Sequence, residues 1–411
     1  MAKTNKLFNT YGPKEYLSIK KIILSGKLSG FIAANSKEFY GGEYVRKFEK
    51  AVSKYFNVKY SVTVNSWTSG LIAAIAAVDI EPGDEILVPT WTMSATSSAI
   101  LHCNAIPVFV DVDENDFNIS LKDLENKITT KTKAILAVDI FGYPSKIDEL
   151  KKLASKFNLR LIFDSAQSIG AKYKKKYVGT FGAVGGFSLN YHKHIHTGEG
   201  GIIVTNDQKI YKKLILIRNH GEVVQSTNNK KILSNTIGYN FRLGEIESAL
   251  GIQQLKKLSK YVKYRKKIFK VIHKRIAGLN GLILPELTQK NIEPSHYVIP
   301  LRLSDNLLKN YKRQQIIQKL KNRGVPGLAA GYMNLHRMKA YENKIAFGSA
   351  GYPWRLFDKN KKNTYKKGIC PVAEKLHEKS FIGFSIFSYH LDKKKIDKIC
   401  DAFEKVWKEL K

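Results

Sequence analysis

No apolar run in this 411-residue chain approaches the roughly 18 residues of a membrane-spanning helix. The opening residues, Met1-Ala2-Lys3-Thr4-Asn5-Lys6, hold no apolar core of a secretory signal, so a soluble, unexported protein with no membrane partner is expected. Cysteine is scarce. Cys103, Cys370 and Cys400 are odd in number and far apart, which offers neither a disulfide framework nor a four-thiolate zinc site and predicts the cytoplasm. Acidic residues are also few: 35 Asp and Glu face 69 Lys and Arg, a net charge of +34. Apolar content of 43% and aromatic content of 11% exclude a disordered basic chain as the source of that charge. The excess is dispersed. Its Lys-rich pieces at 174–176, 359–367 and 393–395 sit in ordinary amphipathic sequence, without a zinc-finger, homeodomain-like or RNP pattern. They read as solvated faces, with an anionic small molecule the next reading and no nucleic-acid partner.

The length allows two or three domains. Between about 60 and 205, strand-like runs at 60–64, 85–88, 106–110, 132–138, 160–163 and 201–204 alternate with helical stretches at 69–78, 121–127 and 147–156. That alternation predicts an α/β fold with a largely parallel sheet. Residues 245–274 read as one long helix. Beyond about 281 the pattern is that of a smaller α+β unit: strand 298–303, helix 314–322, a Gly-rich irregular stretch 324–352, strand 381–388 and helix 394–410. Two domains are therefore expected, 13–280 and 281–411.

Three segments carry chemistry. Residues 187–201, FSLNYHKHIHTGEGG, place Lys193 before a tight Gly turn and beside Phe187, Leu189 and Ile195. A lysine partly desolvated there can form a Schiff base, although a solvated lysine fits the same letters. His192, His194 and His196 alternate beside it without an acidic or cysteine partner at ligand spacing, so they read as polar lining rather than a metal site. Residues 160–163 form an apolar strand ending at Asp164, the end at which α/β sheets meet ligands. A carboxylate there suits a pyridine ring nitrogen; it equally suits a simple cap. At Ser66-Trp67-Thr68-Ser69 a strand passes into a helix, where hydroxyls and free N–H groups can cradle a phosphate or serve as an ordinary N-cap.

In that chain order, and together with Gly83-Asp84-Glu85, Trp91-Thr92-Met93, residues 107–113 (PVFVDVD), 163–171 (FDSAQSIGA), Arg218-Asn219-His220-Gly221 and residues 238–242 (GYNFR), the sequence resembles the DegT/StrS-type (DegT/DnrJ/EryC/StrS) sugar aminotransferases from about residue 13 onward. The resemblance implies a pyridoxal 5'-phosphate (PLP) enzyme of fold type I, aspartate-aminotransferase-like, with a large, mostly parallel-sheet domain and a smaller C-terminal α+β domain. It makes Lys193 the residue that holds the cofactor and later shuttles a proton, and pairs Asp164 with the ring nitrogen. Gln167 falls near the ring hydroxyl, and Thr68, Ser69 and Ser188 fall in the phosphate cradle. Met93 stands where the family often stacks an aromatic, and Trp67 replaces a commonly small residue. Asn240 matches a residue reaching the phosphate from a neighbouring subunit, implying a homodimer with shared active sites. A branch of the family carries histidine in place of this lysine and dehydrates its sugar; retention of Lys193 favours aminotransfer.

The implied reaction moves an amino group from an amino acid, usually L-glutamate, to a keto-sugar, most often nucleotide-linked, in surface-glycan or secondary-metabolite biosynthesis. A cyclitol or a small phosphorylated ketone is the alternative acceptor. Acceptor choice is expected in residues 324–352, around Tyr332, His336 and Tyr341, and at Leu28-Ser29-Gly30-Phe31. A DNA-binding regulator built on the same domain would need a reading module, for which a resemblance beginning near residue 13 leaves no N-terminal room.

Overall fold

A computed structural model describes residues 7–34, 36–221, 236–288, 290–357 and 364–410. The opening six residues and positions 359–363 of one Lys-rich piece lie outside them. The chain begins with helices α1 (Pro13–Ser25) and α2 (Glu43–Phe56). In α2 the residues Val45, Phe48, Val52 and Phe56 recur at helical spacing and are all buried, which fixes the face laid against the core.

The repeating part follows: β1 (Tyr60–Val64), α3 (Trp67–Ala77), β2 (Glu85–Pro89), α4 (Ser94–His102), β3 (Ile106–Val110), α5 (Leu121–Asn126), β4 (Thr132–Val138), α6 (Ile147–Lys156) and β5 (Arg160–Asp164). A short hairpin of β6 (Lys172–Tyr173) and β7 (Lys176–Tyr177) precedes β8 (Val184–Ser188), β9 (Gly201–Thr205), α7 (Gln208–Arg218) and α8 (Glu245–Ile276). Seven strands form the central sheet in the order β1-β9-β8-β5-β4-β2-β3. Neighbours from β3 to β8 run parallel, and β9 is antiparallel to both β8 and β1. The fold is α/β with a mostly parallel sheet. Both faces are covered, as such a sheet requires: along β2, Ile86 and Val88 enter one apolar cluster with α3 and α4, while Leu87 enters the other with α2.

The last third adds β10 (Leu282–Ile283), β11 (Ile292–Glu293), β12 (Ile299–Leu303), β13 (Leu328–Ala329) and β14 (Phe381–Phe384). Strands β10, β12, β14 and β13 make an antiparallel four-stranded sheet. It shares a third apolar cluster with the C-terminal half of α8 and the helix Lys393–Lys408. Residues 335–357 and 364–376 do something the sequence pattern does not reveal: Leu335, Tyr341, Trp354, Tyr365 and Leu376 pack back into the large sheet's cluster. No described helix is long and apolar enough to cross a membrane.

Candidate active site

The carboxyl ends of β4, β5 and β8 and the N-terminal ends of α3 and α4 surround a cavity of about 200 Å3. Ser66 caps α3, its hydroxyl accepting the Ser69 N–H at 3.1 Å, so the free N–H groups of a well-formed helix start face this space. Beyond β8 the chain folds into a tight loop. Leu189 and Gly200 bond across its base at 2.9 Å, Thr197 N–H bonds back to the Leu189 carbonyl at 3.0 Å, and Gly198 and Gly200 have φ of 88° and 149°. Leu189 and Ile195 are buried in the core and anchor the loop, which leaves Lys193 on its cavity side.

The Lys193 Nζ lies 4.5 Å from the centroid of the Tyr297 ring and 3.5 Å from its hydroxyl. Burial lowers its pKa to about 8, against the opposing pull of the Asp164 charge. The sequence predicts this desolvation from the neighbouring Phe187, Leu189 and Ile195. The aromatic over the amine instead comes from 104 residues away and carries no local signal. The three histidines diverge. His194 is buried with Nε2 2.9 Å from the Ser295 carbonyl, His196 packs on the Tyr11 ring, and His192 packs on Tyr191.

Asp164 is buried at the end of β5 and is held by donors on both oxygens. The Trp67 indole N–H donates to Oδ1 at 2.7 Å, and the Thr96 hydroxyl donates to Oδ2 at 2.8 Å. Gln167 accepts the Phe141 N–H at 3.0 Å and donates from Nε2 to the Tyr332 hydroxyl at 2.9 Å. Tyr332 is itself in the wall, its pKa pushed up to about 12 by burial and then by the Asp164 charge. Thr68, Met93 and Ser188 also line the cavity. Met93 is 54% exposed, so its thioether is free to lie on a bound planar group.

Two candidates sit elsewhere. The Ser69 hydroxyl is turned to that of Ser66 at 2.9 Å, outside the wall, and Asn240 is exposed, paired through a bridge to Asn219 and outside this chain's cavity. Of the acceptor-loop residues, only Tyr332 faces the cavity. His336 is fully buried between Thr90 at 2.6 Å and Glu374 at 3.0 Å, and the Tyr341 hydroxyl meets Ser97 at 2.6 Å. Both hold residues 335–342 onto the large sheet's side.

The wall fits PLP in chemistry. A helix N-terminus with Thr68 and Ser188 hydroxyls offers donors for a phosphate, Asp164 offers a carboxylate for a ring nitrogen, and a lysine with a depressed pKa stands within the same space.

A model of the DegT/DnrJ/EryC1/StrS aminotransferase family matches residues 32–354. GDP-perosamine synthase of Escherichia coli O157:H7 is 36% identical over 260 residues, covering 63% of this chain and 70% of that one. Among solved structures, an aminotransferase from Psychrobacter cryohalolentis superposes with a TM-score of 0.84 at 27% identity, over 99% of both chains. The E. coli GDP-4-keto-6-deoxy-D-mannose-3-dehydratase with bound hydrated PLP superposes with a TM-score of 0.78 at 27% identity, over 97% of this chain and 99% of that one.

Proposed function

The chain belongs to the DegT/DnrJ/EryC1/StrS aminotransferase family and is a PLP-dependent aminotransferase; from that premise we propose that it moves an amino group from L-glutamate to a nucleotide-linked keto-deoxysugar. The observation that carries the reading is the pairing of Lys193, with its lowered pKa, and Asp164, hydrogen-bonded on both oxygens, across one cavity. The bound cofactor supplies a carbonyl that takes up the donor's nitrogen and a ring that accepts electrons from the substrate carbon. Lys193 holds that cofactor in place. Its amine would also take the proton from the donor's α-carbon, for which a pKa near the working pH is suited. Asp164 would hold the ring nitrogen, Gln167, Tyr332 and Met93 would stand against the ring, and Thr68 and Ser188 would take the phosphate.

Aminotransfer is favoured over dehydration because lysine, not histidine, occupies position 193. The perosamine-synthase likeness supports a nucleotide-linked acceptor in surface-glycan synthesis; a cyclitol or small phosphorylated ketone would leave the cofactor-holding residues unchanged. We assign cofactor holding to residues 13–280 and acceptor choice partly to residues 281–411, through Tyr332. The exposed Asn240, and the exposed Leu17, Leu24 and Leu28 near the N-terminus, support a homodimer in which each copy completes the other's site. Three free thiols support a cytoplasmic setting. Mixing the purified enzyme with a panel of keto-sugar nucleotides and following glutamate consumption tests the assignment. Turnover with at least one nucleotide sugar is expected, and turnover confined to cyclitols or phosphorylated ketones would overturn the acceptor class.

A further inference from the structure

Trp67 stands at the start of α3, and its surroundings are shaped to its bulk. A Cβ at Gly70 would come within 2.7 Å of Trp67 Cε3, and a Cβ at Gly186 would come within 2.3 Å of Cζ3. A Cβ at Gly201 would approach Trp67 Cα to 2.8 Å. The indole is thus clamped between a helix glycine and a strand glycine and is 5% exposed. Its ring nitrogen is donor only, and its acceptor is Asp164 Oδ1 at 2.7 Å. The same oxygen accepts the Ala166 N–H at 3.2 Å, and the second oxygen accepts the Thr96 hydroxyl at 2.8 Å.

We propose that Trp67 is a positioning residue for the cofactor: with Thr96 it fixes the rotation of the Asp164 carboxylate, and so sets how that carboxylate meets the ring nitrogen. The terminal torsion of an aspartate is soft, so a carboxylate at a strand end does not hold one plane by itself. Two side-chain donors, one on each oxygen, remove that freedom. The clamped indole cannot follow the carboxylate if it turns, and hydrogen bonds to an ionised group are the stronger kind. This inference rests on the assignment of Asp164 to the ring nitrogen made above.

The test is Trp67→Phe in the holoenzyme, which keeps an aromatic ring between the glycines and deletes the N–H. Two readouts besides turnover are taken: the dissociation constant of PLP, and the pH midpoint at which the bound cofactor's visible band changes. Weaker binding by about tenfold, with a shifted midpoint, is expected for loss of one hydrogen bond to a charged group. Thr96→Val should shift both readouts the same way, with Thr96→Ser restoring them; this pair carries the test if the Phe variant does not fold. Asp164→Asn is measured in parallel. If Asp164→Asn moves both readouts while Trp67→Phe and Thr96→Val leave them at wild-type values, the positioning role is wrong and the Asp164 assignment stands. If Asp164→Asn also leaves them unmoved, the Asp164 assignment falls and the inference with it.

Discussion

At the residue scale, reactivity turns on an amine that is partly neutral near physiological pH. The Lys193 pKa is lowered from its ordinary 10.5 to about 8, with burial as the main cause. The neutral, nucleophilic form is therefore lost as pH falls through 8, whereas an exposed lysine would lose it near 10.5. The rate at which apoenzyme takes up PLP should rise with pH with a midpoint near 8, followed by the growth of the visible cofactor band. A midpoint near 10 would show that the amine is solvated. Tyr297 lies over the amine, its ring 4.5 Å from Nζ. Tyr297→Ala should move the midpoint upward by about one unit, whereas Tyr297→Phe, which keeps the ring, should leave it close to wild type.

At the element scale, α3 shows how a helix is altered to serve a site. Gly70 lies inside it, where alanine would ordinarily stabilise by about 1 kcal/mol. Against the Trp67 ring the added methyl has no room, so Gly70→Ala should instead destabilise by about 1–3 kcal/mol. In a Trp67→Ala background the sign should reverse, a non-additivity that denaturant unfolding of the four proteins would measure. The sequence made much of this scale legible. The strands at 60–64, 106–110 and 132–138 lie where their apolar runs put them, and the helix expected at 245–274 spans Glu245–Ile276. The expected strand 381–388 stops at Phe384, because residues 386–388 wind into a helical turn in which Tyr389 N–H donates to the Ile386 carbonyl at 3.1 Å. Strand β8 was not legible. Its Val184-Gly185-Gly186-Phe187-Ser188 is poor in strand formers, since Gly185 must admit the Gly179 carbonyl and Gly186 the Ile202 carbonyl and the Trp67 ring. In the site, Lys193, Asp164 and Gln167 were marked by their neighbours in sequence. Tyr297 and the Thr96 and Trp67 bonds to Asp164 were not, because those contacts join residues 68 to 104 positions apart.

At the scale of the whole molecule, the +34 charge lies on an enzyme scaffold rather than in a basic tail. Many of its few acids are already used in pairs, such as Arg275 with Asp401 and Glu404, and Lys375 with Asp305. A net positive field would draw in both a phosphate cofactor and a diphosphate acceptor. The apparent second-order rate constant for a nucleotide-linked acceptor should accordingly fall as salt is raised from about 0.01 to 0.5 M, over which screening shortens from roughly 30 Å to a few ångströms. A rate independent of salt would leave the charge without a part in substrate capture. The central claim is that Lys193 makes this chain an aminotransferase. The direct measurement is the visible cofactor band of the purified holoenzyme during addition of L-glutamate and then of a keto-sugar nucleotide, for wild type and Lys193→Ala. The wild-type band should bleach with glutamate and return with the acceptor, and the variant should show neither change. A wild-type band indifferent to glutamate and other amino acids, or a variant that cycles like wild type, would contradict the account.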